Sequence, residues 1–175
     1  MRKLVLVCVA LAASAGAQVV RNGRFEQTLK AGAGMADPLG DEVVVEFTSP
    51  GSAPIEAAAF WDGGGDWKVR FSPEKTGAWK WRVKTPGFEP ASGSFRVVEY
   101  KGANVLYRRG APRLSANRRH FMHADGTPWF WLSCTGWNSA LLSTREEWDR
   151  YVADPAAKRF TAIQFVMTKW RAGRK

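Results

Sequence analysis

Two short stretches of this sequence alternate strictly between large apolar residues and charged ones. Trp67–Phe71 reads WKVRF and Trp79–Val83 reads WKWRV, and the turn sequence PEKTG stands between them. Successive side chains of a β-strand point to opposite faces, so the alternation predicts two strands, each with one buried and one solvated face. The pattern places Trp79 and Trp81 on the inner face of a β-structure.

The same strand character extends over the region from about Gly23 to Tyr100. Its other predicted strands are Gly23–Lys30, Glu42–Ser49, Ile55–Trp61, which runs into the turn Asp62–Asp66, and Ser94–Tyr100. Short strands with turns at this spacing are typical of an immunoglobulin-like β-sandwich. An alternative function for the tryptophans of this region is a carbohydrate-binding platform, but the alternation favours the core for the set Trp61, Trp67, Trp79 and Trp81.

The pattern changes after Tyr100. Lys101–Arg113 reads as a basic connector, and Leu114–Trp129 reads as a hairpin around the tight-turn signal Asp125-Gly126. A short apolar strand is predicted at Trp129–Ser133. These features begin a second structural region.

A helix and a further strand follow. Thr144 and Glu147 have the spacing of a capping box, and Trp148, Tyr151 and Val152 recur at helical spacing. Pro155 is expected to kink or interrupt this helix. The apolar run Thr161–Thr168 then predicts a strand covered on both faces, so the segment reads as a β-α-β unit with a parallel sheet. Two parallel strands are only the beginning of such a sheet.

The first residues read as a secretory signal peptide. Arg2 and Lys3 precede the apolar run Leu4–Ala13, and a small-residue cleavage site ends at Ala17, so Gln18 is expected to open the mature chain. The mature chain would keep one cysteine, Cys134, and therefore no internal disulfide. No later stretch is long and apolar enough to span a membrane, so the expected localisation is secreted or periplasmic, without membrane association after cleavage.

The formal net charge of +10 lies mainly in the C-terminal part. Residues 18–100 hold 10 Lys and Arg against 11 Asp and Glu, whereas residues 101–175 hold 14 against 5. A basic half can indicate nucleic-acid binding. Export and the lack of a groove-reading element beside the arginines argue against it, so no nucleic-acid partner is expected. The five arginines are Arg108, Arg109, Arg113, Arg118 and Arg119.

Two segments carry a resemblance to known families. The stretch AFWDGGGDWKVRFSPEKTGAWKW, from Ala59, resembles a β-sandwich family of unknown function that usually precedes glycoside hydrolase catalytic domains. Residues 119–170, through HADGTPWFWLSCTGWN and STREEWDRYVADPAAKRFTAIQFVMTKW, resemble the opening of the apiosidase-like catalytic domain, a (β/α)8 barrel that attacks plant cell-wall polysaccharides. After the signal peptide at 1–17, the resemblance implies a β-sandwich domain at 18–105 and an N-terminal catalytic-domain fragment at 106–175.

The implied fold is mainly β: the sandwich, then a truncated start of a (β/α)8 barrel consisting of a hairpin, one strand, one helix and a second strand. Glycosidases of this architecture carry their catalytic carboxylates on later strands, and no acidic residue ends either predicted strand. The resemblance therefore implies the N-terminal part of a secreted glycoside hydrolase that is inactive by itself, with no catalytic residue. Two departures from the family are Cys134, where an aspartate is usual, and Arg159, where a glycine usually ends the helix.

Ligand contacts of a (β/α)8 barrel come from the C-terminal ends of its strands. This rule selects Thr135, Trp137 and Asn138 after the first strand, and Thr168 and Trp170 after the second, as contacts for a polysaccharide or oligosaccharide. Trp137 or Trp170 would stack on a sugar ring and Asn138 would donate a hydrogen bond to a hydroxyl. The alternative is that Trp137 packs the barrel mouth and Asn138 caps a loop.

Other candidate sites are weaker. Gln164 is expected to satisfy a neighbour inside the core, Cys134 to be a buried thiol, and His120 and His123 to serve the hairpin rather than a metal. No metal and no cofactor are expected. The second function hypothesis is a non-catalytic sandwich module that binds carbohydrate or packs on a catalytic domain.

Overall fold

The computed structural model describes residues 17–32 and 40–167. The chain divides into two compact units, Met1–Arg108 and Arg109–Lys175. No helix among the described residues has the length and apolar character that crossing a membrane requires.

The first unit is built from eight strands, and a short helix, α1 (Val105–Arg109), follows them. The strands are β1 (Ala17–Val20), β2 (Phe25–Ala31), β3 (Val43–Thr48), β4 (Ile55–Gly63), β5 (Asp66–Phe71), β6 (Gly77–Val83), β7 (Phe88–Glu89) and β8 (Ser92–Val98). Their order in the sheet is β1-β8-β6-β3-β4-β5-β2-β7. All neighbours pair antiparallel except β1 and β8, which are parallel.

The strand β4 turns this sheet back on itself. Its first part pairs with β3 and its second part pairs with β5, with a register shift between Trp61 and Gly63. Rings from the two halves meet in the middle: the Phe25 and Phe95 centroids lie 4.1 Å apart, and so do those of Phe47 and Phe71. The two halves therefore pack face to face as layers of a β-sandwich, as the sequence predicted.

The alternating tryptophans lie where the period of two predicts. Trp67, Trp79 and Trp81 are all buried in the core. Trp61, in contrast, is 48% exposed, and its Nε1 donates to the carbonyl of Gly64 at 2.9 Å. The core assignment is therefore confirmed for three of the four tryptophans and wrong for Trp61, which lies beside the register shift.

The connector after the sandwich contains α1, which the sequence analysis did not predict. The Asn104 side chain accepts from the backbone N–H of Leu106 at 2.9 Å and caps this helix. The rings of Tyr100 and Tyr107 meet edge to face, and Asn22 Nδ2 donates to the Tyr107 carbonyl at 3.0 Å. Local capping and these contacts order a segment whose composition indicated only a basic connector.

The second unit contains a small antiparallel sheet and a β-α-β segment. Its elements are β9 (Arg113–Leu114), β10 (Phe121–Met122), β11 (Pro128–Trp129), β12 (Ser133–Thr135), α2 (Ser139–Leu142), α3 (Arg145–Ala157) and β13 (Ala162–Gln164). The predicted hairpin is present as β10 and β11, and Gly126 has a φ of 87° in its turn. β9 adds a third strand.

Two predicted strands have different limits in the structure. Pro128 and Trp129 are used in pairing with β10, so the strand expected at Trp129–Ser133 begins instead at Ser133. The run expected to be a strand over Thr161–Thr168 forms β13 over three residues. β12 and β13 pair in parallel, which confirms the β-α-β unit.

The helix α3 begins as predicted. Thr144 Oγ1 accepts from the backbone N–H of Glu147 at 3.2 Å, and the Glu147 carboxylate accepts from the Thr144 backbone N–H at 2.8 Å. Pro155 does not interrupt this helix, so the expectation of an interruption was wrong. It lies buried in the last turn, where the helix continues for only two residues beyond it.

A Schellman motif ends α3 with arginine in the place of glycine. The Phe160 N–H donates to the Pro155 carbonyl at 2.9 Å, and the Arg159 N–H donates to the Ala156 carbonyl at 3.0 Å. Arg159 has a φ of 63°, in the left-handed region that glycine occupies without strain. The backbone therefore keeps the shape that a C-terminal glycine would give.

Candidate functional site

Backbone pairing between β12 and β13 continues past the C-terminal ends of both strands. The Gly136 N–H donates to the Gln164 carbonyl, and the Val166 N–H donates to the Trp137 carbonyl, each at 2.9 Å. The loops that leave the two strands therefore start side by side. This edge of the parallel sheet is where the sequence analysis placed ligand contacts.

The two faces of the pair β12–β13 differ in what they meet. Cys134 Sγ lies 3.4 Å from the hydroxyl of Tyr151 on α3, so Cys134 and its partner Ile163 face the helix. Thr135 and its partner Gln164 therefore lie on the opposite face, because side chains alternate along a strand. Both are exposed.

Gln164 was predicted as a core residue, and this was wrong. It is the last residue of β13, and its side chain falls on the open face beside Thr135. The alternation of Ile163 with the polar Gln164 was the signal that could have placed it there. Gln164 therefore joins Thr135 as a polar group at the strand ends.

Trp137 and Asn138 follow directly after β12. Trp137 is 46% exposed. Asn138 stands at the N-cap position of α2, yet its side chain makes no capping hydrogen bond. Its Oδ1 is buried and has no hydrogen-bond partner within the described part of the chain. A buried acceptor without a donor is unfavourable, so a rotation of the Asn138 amide that brings this oxygen to a donor would be stabilising.

Close packing fixes the turn that presents these two residues. Ser139 Oγ donates to the Gly136 carbonyl at 2.6 Å. A Cβ on Gly136 would lie 2.4 Å from Ser139 Oγ and 2.5 Å from the Tyr151 hydroxyl. Glycine is required here by space, and the tight fit holds the start of the Trp137–Asn138 loop against α3.

The other candidate residues are distributed as follows. Thr135 lies at the strand end with Trp137 and Asn138, whereas Thr168 and Trp170 lie outside the described residues. Of the five residues proposed to contact a sugar, Thr135, Trp137 and Asn138 therefore lie close together along the chain at the end of β12.

A cavity of about 430 Å³ lies on the helix side of β12. Cys134, Tyr151, Pro155 and Phe160 are among its lining residues. The hydrogen bond with Cys134, together with desolvation, raises the pKa of the Tyr151 phenol above its ordinary value. Cys134 itself is a free, half-buried thiol, rather than the buried one expected.

Four of the five described carboxylates of the second unit have structural roles. Glu147 belongs to the capping box, while Asp149 and Asp154 pair with Arg145 and Lys158 on the surface of α3. Asp125 Oδ1 accepts from the backbone N–H of Thr127, which lowers the pKa of that carboxyl. None of these described carboxylates follows β12 or β13, so the strand ends present no acid pair for glycoside hydrolysis.

The buried histidine of the hairpin has a structural role. His123 is buried, and its Nδ1 lies 2.9 Å from the Gly110 carbonyl. Within residues 17–32 and 40–167 there is no group of three or more His, Cys, Asp or Glu side chains that could hold a metal ion.

Comparison with known families agrees with this arrangement. Residues 18–86 match a domain of unknown function, DUF5060, and residues 115–175 match the apiosidase-like catalytic domain. No curated protein matches the chain. The chain is thus similar to a DUF5060 domain over residues 18–86 and to the apiosidase-like catalytic domain over residues 115–175.

A solved structure shows a similar fold. It is the crystal structure of a protein from Bacteroides vulgatus ATCC 8482 that is provisionally assigned as a glycoside hydrolase. The two share 21% sequence identity with a TM-score of 0.59 over 73% of this chain. The match covers 24% of the solved protein, so the present chain spans about a quarter of that protein's length.

Proposed function

We propose that this chain is the N-terminal part of an exported glycoside hydrolase that acts on plant cell-wall polysaccharide. In this proposal the ends of β12 and β13 form one side of the sugar-binding surface, through Thr135, Trp137 and Asn138, with Trp170 as a further contact. The match of residues 115–175 to the apiosidase-like catalytic domain supports the class of reaction.

The observation that carries the proposal is the buried, unpartnered Oδ1 of Asn138. A sugar hydroxyl is a donor that can satisfy this oxygen once the Asn138 amide rotates towards the surface. The exposed Trp137 beside it offers an apolar ring face, on which the C–H face of a sugar can pack. Thr135 and Gln164 add polar groups on the open face of the same strands.

We propose further that this polypeptide by itself does not hydrolyse glycosides. Hydrolysis needs two carboxyl groups about 5 to 10 Å apart across the scissile bond. The described carboxylates of the second unit lie in the hairpin turn and along α3. The chain is expected to bind sugar without cleaving it.

The test is a calorimetric titration of the whole chain with soluble neutral oligosaccharides released from plant cell walls. Asn138→Ala and Trp137→Ala should each weaken binding by about tenfold, as the loss of one buried hydrogen bond or one ring contact implies. Cys134→Ser is the matched control, since Cys134 faces α3 on the other side of β12. Equal affinity of wild type and Asn138→Ala would refute the site, and release of reducing sugar by the chain would refute its inactivity.

Export rests on the sequence of residues 1–17. Expression in a bacterial host with an outer membrane should yield a periplasmic or secreted product whose N-terminus is Gln18. A cytoplasmic product that retains Met1 would contradict this part of the proposal.

A further inference from the structure

The outer face of the sandwich carries a depression of about 440 Å³ across β3, β6 and β8. Two rows of side chains cross it. One row is Thr48, Lys80 and Ser94, and the other is Glu46, Arg82 and Ser92. Partners in register lie on the same face of a sheet, so all six side chains border one surface, which we name the outer trough.

The depth of the outer trough comes from small residues on β8. Ser92, Gly93 and Ser94 stand beside the long side chains of Lys80 and Arg82. Gly93 between the two serines is in register with the core residue Trp81, and a Cβ there would lie 2.7 Å from the Trp81 indole, so glycine is kept at this position by the core. The volume of the depression falls in the range of small-ligand sites.

The charge of the outer trough is unbalanced. Arg82 Nε donates to Glu46 Oε1 at 2.7 Å, and this hydrogen bond lowers the pKa of the Glu46 carboxyl, so the two charges cancel. Lys80 is exposed and, among the described residues, has neither an ion pair nor a hydrogen bond from its side chain. One uncompensated ammonium group therefore stands in the outer trough.

The remaining groups are hydroxyls. The side chains of Thr48, Ser92 and Ser94 make no hydrogen bond with any part of the chain that the structure describes, and each can both donate and accept. A single cation among hydroxyls fits a ligand that is itself rich in hydroxyls and carries one carboxylate per unit. A nucleic acid is a poorer fit, because it is held by many cations along its phosphates.

We propose that the outer trough binds an acidic polysaccharide, with Lys80 receiving the carboxylate of a uronic acid unit and the three hydroxyls bonding the sugar. An ammonium group and a carboxylate form a charge-assisted hydrogen bond, which is stronger than a neutral one. The inference rests on the proposed function in taking a polysaccharide as the ligand. It concerns a different surface, in the other compact unit, from the strand ends of β12 and β13.

The test uses the whole chain and two probes, polygalacturonate and its fully methyl-esterified form, which has the same sugar backbone without the charge. Affinity electrophoresis or calorimetry at low salt should show that wild type binds polygalacturonate and binds the ester at least about fivefold more weakly. Lys80→Gln should weaken polygalacturonate binding by about fivefold. Lys101→Gln is the matched control, because it removes the same charge from another exposed lysine of the first unit.

A second variant guards against misfolding. Ser94→Glu places a carboxylate in register with Lys80, so it should also abolish the preference for the charged probe while the thermal midpoint stays close to that of wild type. Equal binding of the two probes by wild type would overturn the inference. So would equal affinity of Lys80→Gln and Lys101→Gln, or Lys80-dependent displacement of polygalacturonate by a DNA duplex.

The outcomes separate this inference from the proposed function. Failure of the outer trough leaves the binding of neutral oligosaccharides, and its dependence on Asn138, unchanged. Failure of the strand-end site leaves the dependence of polygalacturonate binding on Lys80 unchanged.

Discussion

Replacing Arg159 with glycine should stabilise the second unit. Arg159 holds a φ of 63° at the C-terminal end of α3, and a side chain in this region costs about 1–2 kcal/mol. Glycine removes that cost but also loosens the unfolded chain, which costs about 0.4–1 kcal/mol. The expected net gain in the free energy of unfolding is about 0.5–1 kcal/mol, or about 1–4 °C in the thermal midpoint.

The assay is thermal unfolding followed by far-ultraviolet circular dichroism, together with amide hydrogen exchange at Phe160. The Phe160 N–H bonds to the Pro155 carbonyl, so its protection reports directly on the end of the helix. Arg159→Ala is the control, because alanine keeps a Cβ and therefore keeps the strain. A glycine variant no more stable than the alanine variant would refute this explanation of the helix end.

Three further perturbations test the packing, the capping and the electrostatics. Gly93→Ala should lower the free energy of unfolding of the sandwich by about 1–3 kcal/mol, because the new Cβ would lie 2.7 Å from the Trp81 ring. Gly65→Ala is the control, since its Cβ would meet nothing closer than 3.9 Å. Equal denaturant midpoints for the two variants would contradict this explanation. Thr144→Ala should lower the free energy of unfolding by about 1 kcal/mol through loss of the capping box, as measured by denaturant unfolding. Thr144→Ser should keep most of the wild-type stability, because serine can form the same cap. Equal stabilities of the two variants would rule out the cap as the cause. The hydrogen bond with Arg82 lowers the pKa of Glu46 from 4.5, so the contribution of Glu46 to stability is complete above pH 4.5 and is lost as the pH falls through the lower pKa of the folded state. Glu46→Gln should therefore reduce the loss of stability at acidic pH in a plot of unfolding free energy against pH. An unchanged loss would show that the pair of Glu46 and Arg82 contributes nothing.

The sandwich was the most predictable part of the molecule because one face of each strand is buried. Trp67, Trp79 and Trp81 lie in the core as the period-two alternation requires. Trp61 lies outside the strictly alternating stretches, and the register of β4 with β5 shifts directly after it, between Trp61 and Gly63. A shift of this kind depends on the partner strand, which a single segment of sequence does not specify.

Local hydrogen-bonding motifs in the second unit were also predictable, whereas strand limits were not. The capping box at Thr144 follows from residue types at fixed spacing. Apolar residues from Trp129 to Leu132 gave no indication that Pro128 and Trp129 pair within the hairpin and leave the next strand to begin at Ser133. The expected interruption at Pro155 did not occur because proline disrupts a helix less in its last turn, and the Pro155 ring is buried there.

The position of the candidate site stays a prediction, and the set of residues selected for it was incomplete. The rule that ligands meet the C-terminal ends of parallel strands selected Thr135, Trp137 and Asn138, and backbone pairing continues to that edge. Gln164 was missed because an apolar run suggested burial on both faces, whereas the described strand leaves one face open.

The most direct test of the sugar site is nuclear magnetic resonance of the side-chain N–H groups during titration with neutral plant cell-wall oligosaccharides. The account predicts saturable shifts of the Asn138 side-chain amide and the Trp137 indole N–H, with little change at the Trp61 indole on the sandwich. Binding that leaves the Asn138 and Trp137 signals in place, or the absence of any binding, would contradict it.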